Sequence, residues 1–466
     1  MTSPLTAATA PGPRPERITA VHLGLGAFHR AHQLWTTEAA NRARLADGAA
    51  EANLDGYASF TGRRPGAAEV LQAQDGLFHL LVRHPDHDDA EQIRCLLDPH
   101  DGADVARLLD LVGSPDVSVI TLTITEAGYR RRADGSLDTS NPDVSADISA
   151  LRSGDECAVR TAPGRLVAAI HARAAVGLHP LALVSCDNLI DNGSTLATVV
   201  TDLADAVGDD STAHVRATSF VHTMVDRITP HTTDVERADI SKLTGLADAD
   251  PVACEPFTEW ILAGEFPSGR PAWELGGARF TDDVKPFEQR KLWMLNATHS
   301  LLAYVGGLRG HETVDQAMTD EVCTALVRAW WDDAEAQIEL PSDETATYAQ
   351  DLLDRYSNTS VQHRLAQIAG DGSQKLPIRI APVLLATRAA GGRCTAGVTT
   401  LAAYVLHLRG SGVAVNDVAA EALQDAAAGD LTQATGRVLA LLDDRLTDGD
   451  LVADVAASAI GLDSSA

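Results

Sequence analysis

The chain has 466 residues, with 37 lysines and arginines against 65 aspartates and glutamates, and a formal net charge of -28 at pH 7. Nucleic acid and anionic membranes would repel such a surface, so neither is expected as a partner. The length favours two domains over a single core. The six cysteines include no CxxC pair, which argues against a disulfide framework and a cysteine-bound zinc; no metal is expected.

The first 18 residues are rich in proline, alanine and threonine and contain no apolar stretch. This composition predicts a flexible tail and argues against a signal peptide. No run in the chain approaches 18 consecutive apolar residues, which argues against a membrane span. A cytoplasmic location is therefore expected.

Apolar runs and helical periodicity alternate from residue 19 to about residue 250. Strands, one of them an edge hairpin segment at 75–83, are predicted at 19–25, 56–60, 75–83, 117–124, 181–185 and 215–221. Helices are predicted at 31–46, 103–111, 166–176 and 195–206. This alternation predicts an α/β fold with a mostly parallel, doubly wound sheet.

The pattern changes after residue 250. Residues 255–262 are expected to be helical, and 267–280, rich in glycine and proline, to be irregular. Long helical patterns then follow at 286–305, 313–339, 345–356, 377–390, 398–409 and 415–427. We therefore place a domain boundary near residue 282, between an α/β part, 19–282, and a mainly helical part, 283–466.

A glycine turn follows the first predicted strand and leads into a helix. Gly24 and Gly26 would let the backbone approach a pyrophosphate, and Ala27 and Phe28 belong to the same loop. The helix predicted at 31–46 would offer free N–H groups to the phosphates. His29 occupies the third glycine position of the GxGxxG pattern, so the motif alone is weak evidence. Its place at the start of the alternating pattern favours dinucleotide binding over a plain turn.

The second predicted strand lacks the carboxylate that binds the ribose of NAD in many such folds. Arg63 and Arg64 follow the strand instead. Either could hold the 2′-phosphate of NADP, or both could be ordinary surface charges. The choice of cofactor stays open at this point.

Polar side chains also follow two later strands. Asn188 comes after LALVSC and Asp226 after the strand ending at Val221. Ligands bind at the carboxyl ends of strands in open α/β sheets, so both residues are candidates for a binding site. The alternatives are a helix cap or Asx turn for Asn188 and an ion pair for Asp226.

The stretch KLWMLNATHS places an amine, a carboxamide and an imidazole on one predicted helix. Asn296 lies about 140° and His299 about 80° around an α-helix from Lys291, so the three could line one broad face. Apolar neighbours would desolvate Lys291 and lower its pKa, which would make it a usable general base. The alternative is an ordinary amphipathic helix with a polar stripe.

A second cationic segment is DGSQKLPIR, in which Lys375 and Arg379 follow a turn. These two charges could hold a polyol oxygen or a carboxylate of the substrate. Solvated surface charge is the alternative.

Taken in order, these motifs resemble a known family. VHLGLGAFHRAHQ, LTITEAGY, SCDN, MVDRITP, the triplet Lys291, Asn296 and His299, and DGSQKLPIR look like the polyol-specific long-chain dehydrogenases. That group includes mannitol 2-dehydrogenase and fructuronate reductase. The resemblance implies a Rossmann-type N-terminal domain, a mainly helical C-terminal domain, no zinc, and NAD as the cofactor, with NADP still open.

The resemblance also implies catalytic roles. Lys291 would be the general base, and Asn188 and Asn296 would donate hydrogen bonds to the reacting oxygen. His299 would position the substrate.

Binding roles follow from the same resemblance. Asp226 would contact a substrate hydroxyl, and Lys375 would belong to the cationic part of the substrate site. Gly24 and Gly26 would face the pyrophosphate of the cofactor, and Glu126 would lie near the nicotinamide.

The function implied is oxidation of a hexitol, foremost D-mannitol to D-fructose, by hydride transfer. Fructuronate reduction is one alternative, since CEPFTEWI and DGSQKLP look closer to the sugar-acid branch of the family. Mannitol-1-phosphate 5-dehydrogenase activity is another. A nucleotide-binding sensor without catalysis is a more remote alternative, as is a metal-dependent hydrolase using His29 and His32. The expected partner is a small polyol or sugar acid, and the protein is expected to be a monomer or a small homo-oligomer.

Overall fold

The computed structural model describes residues 2–62, 64–360 and 363–463. The chain forms two compact units, which divide between Val284 and Lys285. The first unit contains all the strands of the described residues, and the second is helical. Within the described residues, no helix is both long and apolar enough to cross a bilayer.

The first unit is built on thirteen strands. They are β1 (Ser3–Pro4), β2 (Ile18–Leu23), β3 (Gly56–Phe60), β4 (Phe78–Arg83), β5 (Asp88–Ile93), β6 (Leu96–His100), β7 (Val119–Leu122), β8 (Ala182–Ser185), β9 (Ser219–Asp226), β10 (Leu246–Ala247), β11 (Val252–Cys254), β12 (Glu259–Ala263) and β13 (Arg279–Phe280). Its helices are α1 (Ala27–Ala31), α2 (Gln33–Ala46), α3 (Gly66–Ala73), α4 (Val105–Val112), α5 (Pro142–Ser153), α6 (Ala162–Ala175), α7 (Asn192–Val207), α8 (Asp209–Ala217) and α9 (Asp234–Thr244).

Eight strands form the central sheet, in the order β13-β12-β9-β8-β7-β2-β3-β6. The six from β9 to β6 run parallel, and β12 pairs with β9 in the antiparallel direction. Apolar residues cover both faces of this sheet, as expected for parallel strands between layers of helices. The carboxyl ends of the six parallel strands therefore meet at one edge. The predicted α/β fold is confirmed.

The predicted helix at 255–262 is wrong. The apolar run Trp260, Ile261 and Leu262 is fully buried and lies in β12, which pairs with β9. A short apolar run fits a buried strand as well as a helix, and only its pairing partner decides between them.

Two other predicted strands differ from the structure. Residues 75–83 were expected at a sheet edge, but β4 is the middle strand of a separate three-stranded sheet, β11-β4-β5. Residues 215–221 were expected to be a strand throughout, but α8 extends to Ala217 and β9 begins at Ser219.

The predicted flexible tail at the N-terminus is also wrong. Ser3 and Pro4 pair with β10 in a parallel ladder, and Leu5 is fully buried against Ala10 and Leu77. The burial of Leu5 and the pairing of Ser3 and Pro4 with β10 therefore hold in place a segment whose composition predicts a flexible tail.

The second unit is a helical bundle. Its α-helices are α10 (Lys285–Arg290), α11 (Ala297–Leu301), α12 (Val314–Met318), α13 (Glu321–Glu335), α14 (Ser342–Ser357), α15 (Leu365–Ile368), α16 (Gly372–Arg379), α17 (Ala381–Ala389), α18 (Thr395–Leu408), α19 (Ala420–Ala427), α20 (Leu431–Leu442) and α21 (Gly449–Asp463). A π-helical segment, Lys291–Asn296, joins α10 to α11, and a second, Leu302–Gly306, continues the same helical run beyond α11. Nearly all of α18 is buried, so it forms the centre of this unit.

Candidate active site

The glycine turn lies at the carboxyl end of β2 and opens onto a cavity of about 830 Å³ within the first unit. Gly24 has φ of +114°, and a Cβ there would lie 1.9 Å from the carbonyl oxygen of Thr123. A Cβ at Gly26 would be in ordinary contact with Gly24 O, at 3.6 Å, and Gly26 precedes the first residue of α1. The turn therefore fits the close approach of a pyrophosphate, as the sequence predicts for this motif.

His29 explains the missing third glycine. Its ring stacks on that of His22 in β2, with the ring centres 3.3 Å apart, and its Nε2 hydrogen bonds to Ser59 Oγ of β3 at 3.0 Å. Burial lowers the pKa of His22 to about 3, so the stacked pair is uncharged at neutral pH. The third glycine of this motif usually permits close packing of the helix on the strand. Here the His29 ring fills that position and packs on the strand instead.

The hydrolase alternative loses its support at the same point. The His29 ring is engaged with Ser59 and Gln33, and His32 Nε2 hydrogen bonds to the backbone oxygen of Glu259 at 2.9 Å. Both histidines serve packing inside the first unit.

The cavity wall includes residues from four strand ends. They are Gly24, Leu25, Gly26, Gly62, Pro65, Asp101, Ala103, Thr123, Ile124, Thr125, Ala127, Gly128, Arg130, Arg160, Thr161, Ala162 and Arg165. Of the predicted cofactor residues, Ala27 and Phe28 form the start of α1 beside this lining. Glu126 is exposed, between the lining residues Thr125 and Ala127. Arg63 lies outside the described residues.

Asp187, which the sequence analysis did not single out, ties two predicted motifs together. Its carboxylate accepts hydrogen bonds from the Ile124 amide at 2.6 Å, from Ser185 Oγ at 3.2 Å and from the Tyr129 hydroxyl. Burial raises the pKa of Asp187 to about 7. The segment LTITEAGY after β7 is thus held against SCDN after β8. The sequence contains one signal for this contact, a polar side chain in each motif: Tyr129 in LTITEAGY and Asp187 in SCDN.

Asn188 follows this clamp directly and is exposed. The capping alternative for it is wrong, because α7 begins at Asn192 and its N-cap residue is Asp191. Asn192 itself donates to the backbone oxygens of Asp187 and Thr223, at 3.0 and 2.8 Å, and so fixes the loop after β8 to β9.

Asp226 is the last residue of β9 and is 3% exposed. Since β7, β8 and β9 are parallel neighbours, Glu126, Asn188 and Asp226 follow or end adjacent strands at one edge of the sheet. The first unit therefore collects its predicted site residues at the same edge as the glycine turn.

The other predicted site residues belong to the second unit. Lys291 and Asn296 are the first and last residues of a π-helical segment, and both are partly exposed. In a π-helix the N–H of residue i+5 bonds to the C=O of residue i, so residues five apart lie one turn apart on the same face. Lys291 and Asn296 therefore lie closer to one face of this helix than they would in an α-helix.

Side chains hold the carbonyl groups of this segment. The backbone oxygens of four successive residues accept bonds from Trp330 Nε1 (2.6 Å), Trp331 Nε1 (3.1 Å), the Tyr356 hydroxyl (3.1 Å) and Arg379 (3.1 Å), in the order Trp293, Met294, Leu295 and Asn296. Short π-helical segments are frequent at functional sites. Four donors fix this one in place.

His299 continues the same helical run and is 7% exposed. Its ring lies edge-on against Tyr356 and His363, with ring centres 5.2 and 4.8 Å apart. Its orientation is thus set by aromatic packing.

The two predicted substrate cations have internal partners. Lys375 Nζ donates to the backbone oxygens of Gly370 and, at 3.1 Å, Ile368, and burial lowers its pKa. Arg379 donates to Asn296 O and to Ser300 Oγ at 3.2 Å, and burial lowers its pKa to about 10. Arg379 therefore supports the helix that carries Asn296.

The glycine-turn sheet and the helical unit with its embedded lysine define a two-unit oxidoreductase with a Rossmann-type domain. Comparison with known proteins agrees: the mannitol dehydrogenase Rossmann domain model matches residues 18–275, and the mannitol dehydrogenase C-terminal domain model matches residues 283–460. The chain belongs to the mannitol dehydrogenase family, which confirms the resemblance stated from the motifs.

Named relatives cover most of the chain. D-mannonate oxidoreductase of Escherichia coli is 36% identical over 77% of this chain and 74% of its own length. Mannitol 2-dehydrogenase of Cereibacter sphaeroides is 34% identical over 87% of this chain and 85% of its own length.

Solved structures are similar over the whole chain. Pseudomonas fluorescens mannitol 2-dehydrogenase, in a ternary complex with NAD and D-mannitol, has a TM-score of 0.77 and 30% identity, and the match covers 96% of this chain and 92% of that one. A D-sorbitol dehydrogenase in substrate-free form has a TM-score of 0.89 and 25% identity, and that match covers 100% and 99%.

Proposed function

We propose that the protein interconverts a secondary alcohol of a polyol or sugar acid and the corresponding ketone, with NAD as the cofactor and without zinc. Bound at the glycine turn, the nicotinamide dinucleotide supplies the hydride acceptor or donor. The cavity at Gly24 and Gly26 fits its pyrophosphate, and the relative solved with NAD supports the choice of dinucleotide.

Lys291 is the proposed general base. In oxidation its uncharged amine takes the proton of the substrate hydroxyl, and in reduction the ammonium returns it. Asn188 and Asn296 donate hydrogen bonds to the same oxygen as negative charge develops on it. The observation that carries this proposal is the π-helical segment, which puts Lys291 and Asn296 on one helix face and whose backbone oxygens at residues 293–296 accept hydrogen bonds from four side-chain donors.

The remaining predicted residues bind the substrate. His299, held by aromatic packing, orients the reacting end, and Asp226 accepts a hydrogen bond from a hydroxyl further along the chain of carbons. Lys375 and Arg379 supply positive charge and Glu126 contacts the nicotinamide end in this proposal.

D-mannitol, oxidised to D-fructose, is the substrate we favour. A sugar acid is the second candidate, because Lys375 and Arg379 place two cations in one helix, and because D-mannonate oxidoreductase is among the relatives. Mannitol 1-phosphate oxidation is a further alternative.

A substrate panel tests the function. D-mannitol, D-arabinitol, D-sorbitol, D-fructuronate and mannitol 1-phosphate would each be assayed with NAD(H) and NADP(H) at the absorbance of the reduced nicotinamide. Activity with D-mannitol and NAD, unchanged by a chelator, is expected. Turnover of none of these compounds would contradict the proposal.

Lys291→Ala tests the base. Turnover should fall below detection while NADH binding, measured by fluorescence, stays within about twofold, because the glycine turn belongs to the other unit. Lys242→Ala is the matched control, since that lysine is 84% exposed on α9. Near-normal turnover in Lys291→Ala would remove the base assignment. Asn296→Ala, which loses one donor to the oxyanion, should lower kcat by roughly 10²–10³.

A further inference from the structure

The end of β3 is the place where a dinucleotide-binding sheet usually carries an acidic residue for the adenosine ribose. Here β3 ends at Phe60 and continues into Thr61 and Gly62, so the position has no carboxylate. Gly62 nevertheless lines the cavity below the glycine turn. The cavity therefore reaches the end of β3, where the usual hydrogen-bond acceptor for a ribose is absent.

A carboxylate reaches the same wall from the neighbouring strand. Asp101 follows β6, which pairs with β3, and it lines the cavity together with Gly62. Two hydrogen bonds fix its position: the Thr61 amide donates to His100 O at 2.9 Å, and the Gly102 amide donates to Thr61 Oγ1 at 2.9 Å.

Close packing fixes this turn further. A Cβ at Gly102 would lie 2.1 Å from the backbone oxygen of Thr61, so only glycine allows the two strand ends to approach this closely. Asp101 is therefore held beside the end of β3.

The Asp101 carboxylate is partly exposed, and only one of its oxygens has a hydrogen-bond partner among the described residues. Oδ1 accepts from the Ala103 amide at 3.0 Å in an Asx turn. The second oxygen is thus available to a ligand in the cavity, and the turn orients it.

Three arginines, Arg130, Arg160 and Arg165, also line the cavity. Burial lowers the pKa of Arg165, and the negative charges of Asp147 and Asp101 oppose that shift. Asp147 is itself fully buried. Asp101 is therefore one of two carboxylates whose charges act on Arg165, and it shares the cavity wall with that cation.

We propose that Asp101 accepts hydrogen bonds from the ribose hydroxyls of the adenosine half of the cofactor, and that it thereby selects NAD over NADP. This inference rests on the proposed function. A carboxylate pairs with two hydroxyl donors, whereas the 2′-phosphate of NADP replaces one donor by negative charge and is repelled. The residue after β6 thus supplies the acid that is absent at the end of β3.

The test measures the Kd of Asp101→Asn for NADH and for NADPH by fluorescence titration in the absence of substrate. The amide keeps an oxygen for the Ala103 amide and loses only the charge. The Kd for NADH should rise roughly ten- to a hundredfold, as for loss of a charged hydrogen bond, and the Kd for NADPH should fall. Asp104→Asn, three residues away and outside the cavity lining, is the matched control and should change neither Kd.

A rescue variant separates specificity from folding. A side chain at Gly62 would meet no atom within 4 Å of its Cβ, so Gly62→Asp is sterically open and puts the acid at the end of β3. Added to Asp101→Asn, it should restore the preference for NADH at least tenfold. If Asp101→Asn does not fold, Asp101→Ser, which can keep the turn, replaces it in both measurements.

Three outcomes would count against the idea, each in its own way. Wild-type protein that binds neither NADH nor NADPH contradicts the proposed function itself. Wild-type binding with unchanged Kd values in Asp101→Asn overturns the inference alone. A loss confined to NAD, with the hypoxanthine analogue of NAD unaffected, would assign the carboxylate to the adenine amino group and also overturn the ribose assignment.

Discussion

Replacing Asp187 by asparagine should make the stability of the protein less sensitive to pH. The Asp187 carboxyl is 7% exposed and accepts hydrogen bonds from Ile124, Ser185 and Tyr129. Burial raises its pKa from the ordinary 3.8 to about 7 in the folded protein. Between these two values the native state binds more protons at this site than the unfolded chain does.

The sign of the effect follows from that difference. Since the native state holds the extra proton, stability falls as the pH rises from about 4 to about 7, and the full cost is present above pH 7. A shift of about three units corresponds to about 4 kcal/mol at most. Asparagine has no charge to bury and keeps an oxygen for the Ile124 amide. The stability of the variant should therefore not fall with pH through this site.

Calorimetric melting at pH 5 and pH 8 measures the prediction. The melting temperature of Asp187→Asn minus that of the wild type should increase by several degrees between the two values of pH. Asp47→Asn, at an exposed position, is the control and should show no such trend. An equal difference at both values would refute the assignment of a protonated carboxyl to this clamp.

Three further substitutions test other parts of the structure. Gly24→Ala forces a Cβ against Thr123 O at positive φ, and NADH affinity should fall at least tenfold by fluorescence titration while the helical unit keeps its circular dichroism. Trp331→Phe removes the donor to Met294 O, which should cost about 1–3 kcal/mol in denaturant titrations and lower kcat more than it changes KM; an unchanged kcat would separate the π-helical segment from catalysis. Leu5→Ala should cost about 2–5 kcal/mol locally and speed proteolysis of the N-terminal segment, whereas a flexible tail would be cleaved at the same rate in both proteins.

Local patterns predicted five of the six parallel strands of the central sheet at least in part, and they missed β6. The second strand was predicted at 56–60, the residues that form β3, because its small and aromatic residues are flanked by turn formers. The antiparallel strand β12 was misassigned as a helix, because its pairing with β9 is a long-range contact that leaves no local signal. For the same reason the pairing of β1 with β10 was not foreseen.

The candidate site was predicted where its residues stand in a motif and missed where they act through space. Asn188, Asp226 and Gly24 were predicted because each lies near the carboxyl end of a predicted strand or within a few residues after it. Asp187 adjoins Asn188, but its role depends on Tyr129, 58 residues away, and sequence spacing does not reveal such a contact. Asp101, the residue we propose for the ribose, follows no predicted strand, and only the pairing of β6 with β3 brings it to the same cavity wall as Gly62.

The helix that carries Lys291 has a geometry that residue spacing alone does not reveal. Counting at 3.6 residues per turn puts Asn296 about 140° from Lys291, which is a poor arrangement for two groups that we propose to act on one oxygen. The π-helical segment removes that difficulty, because its i+5 bonding turns a five-residue spacing into one turn. Such a segment displaces carbonyl groups from α-helical bonding, and the indole and phenol donors of Trp330, Trp331 and Tyr356 satisfy them from neighbouring helices. The lysine–asparagine spacing and those distant aromatic donors are therefore one feature, because the spacing is useful only in the helix type that the donors stabilise.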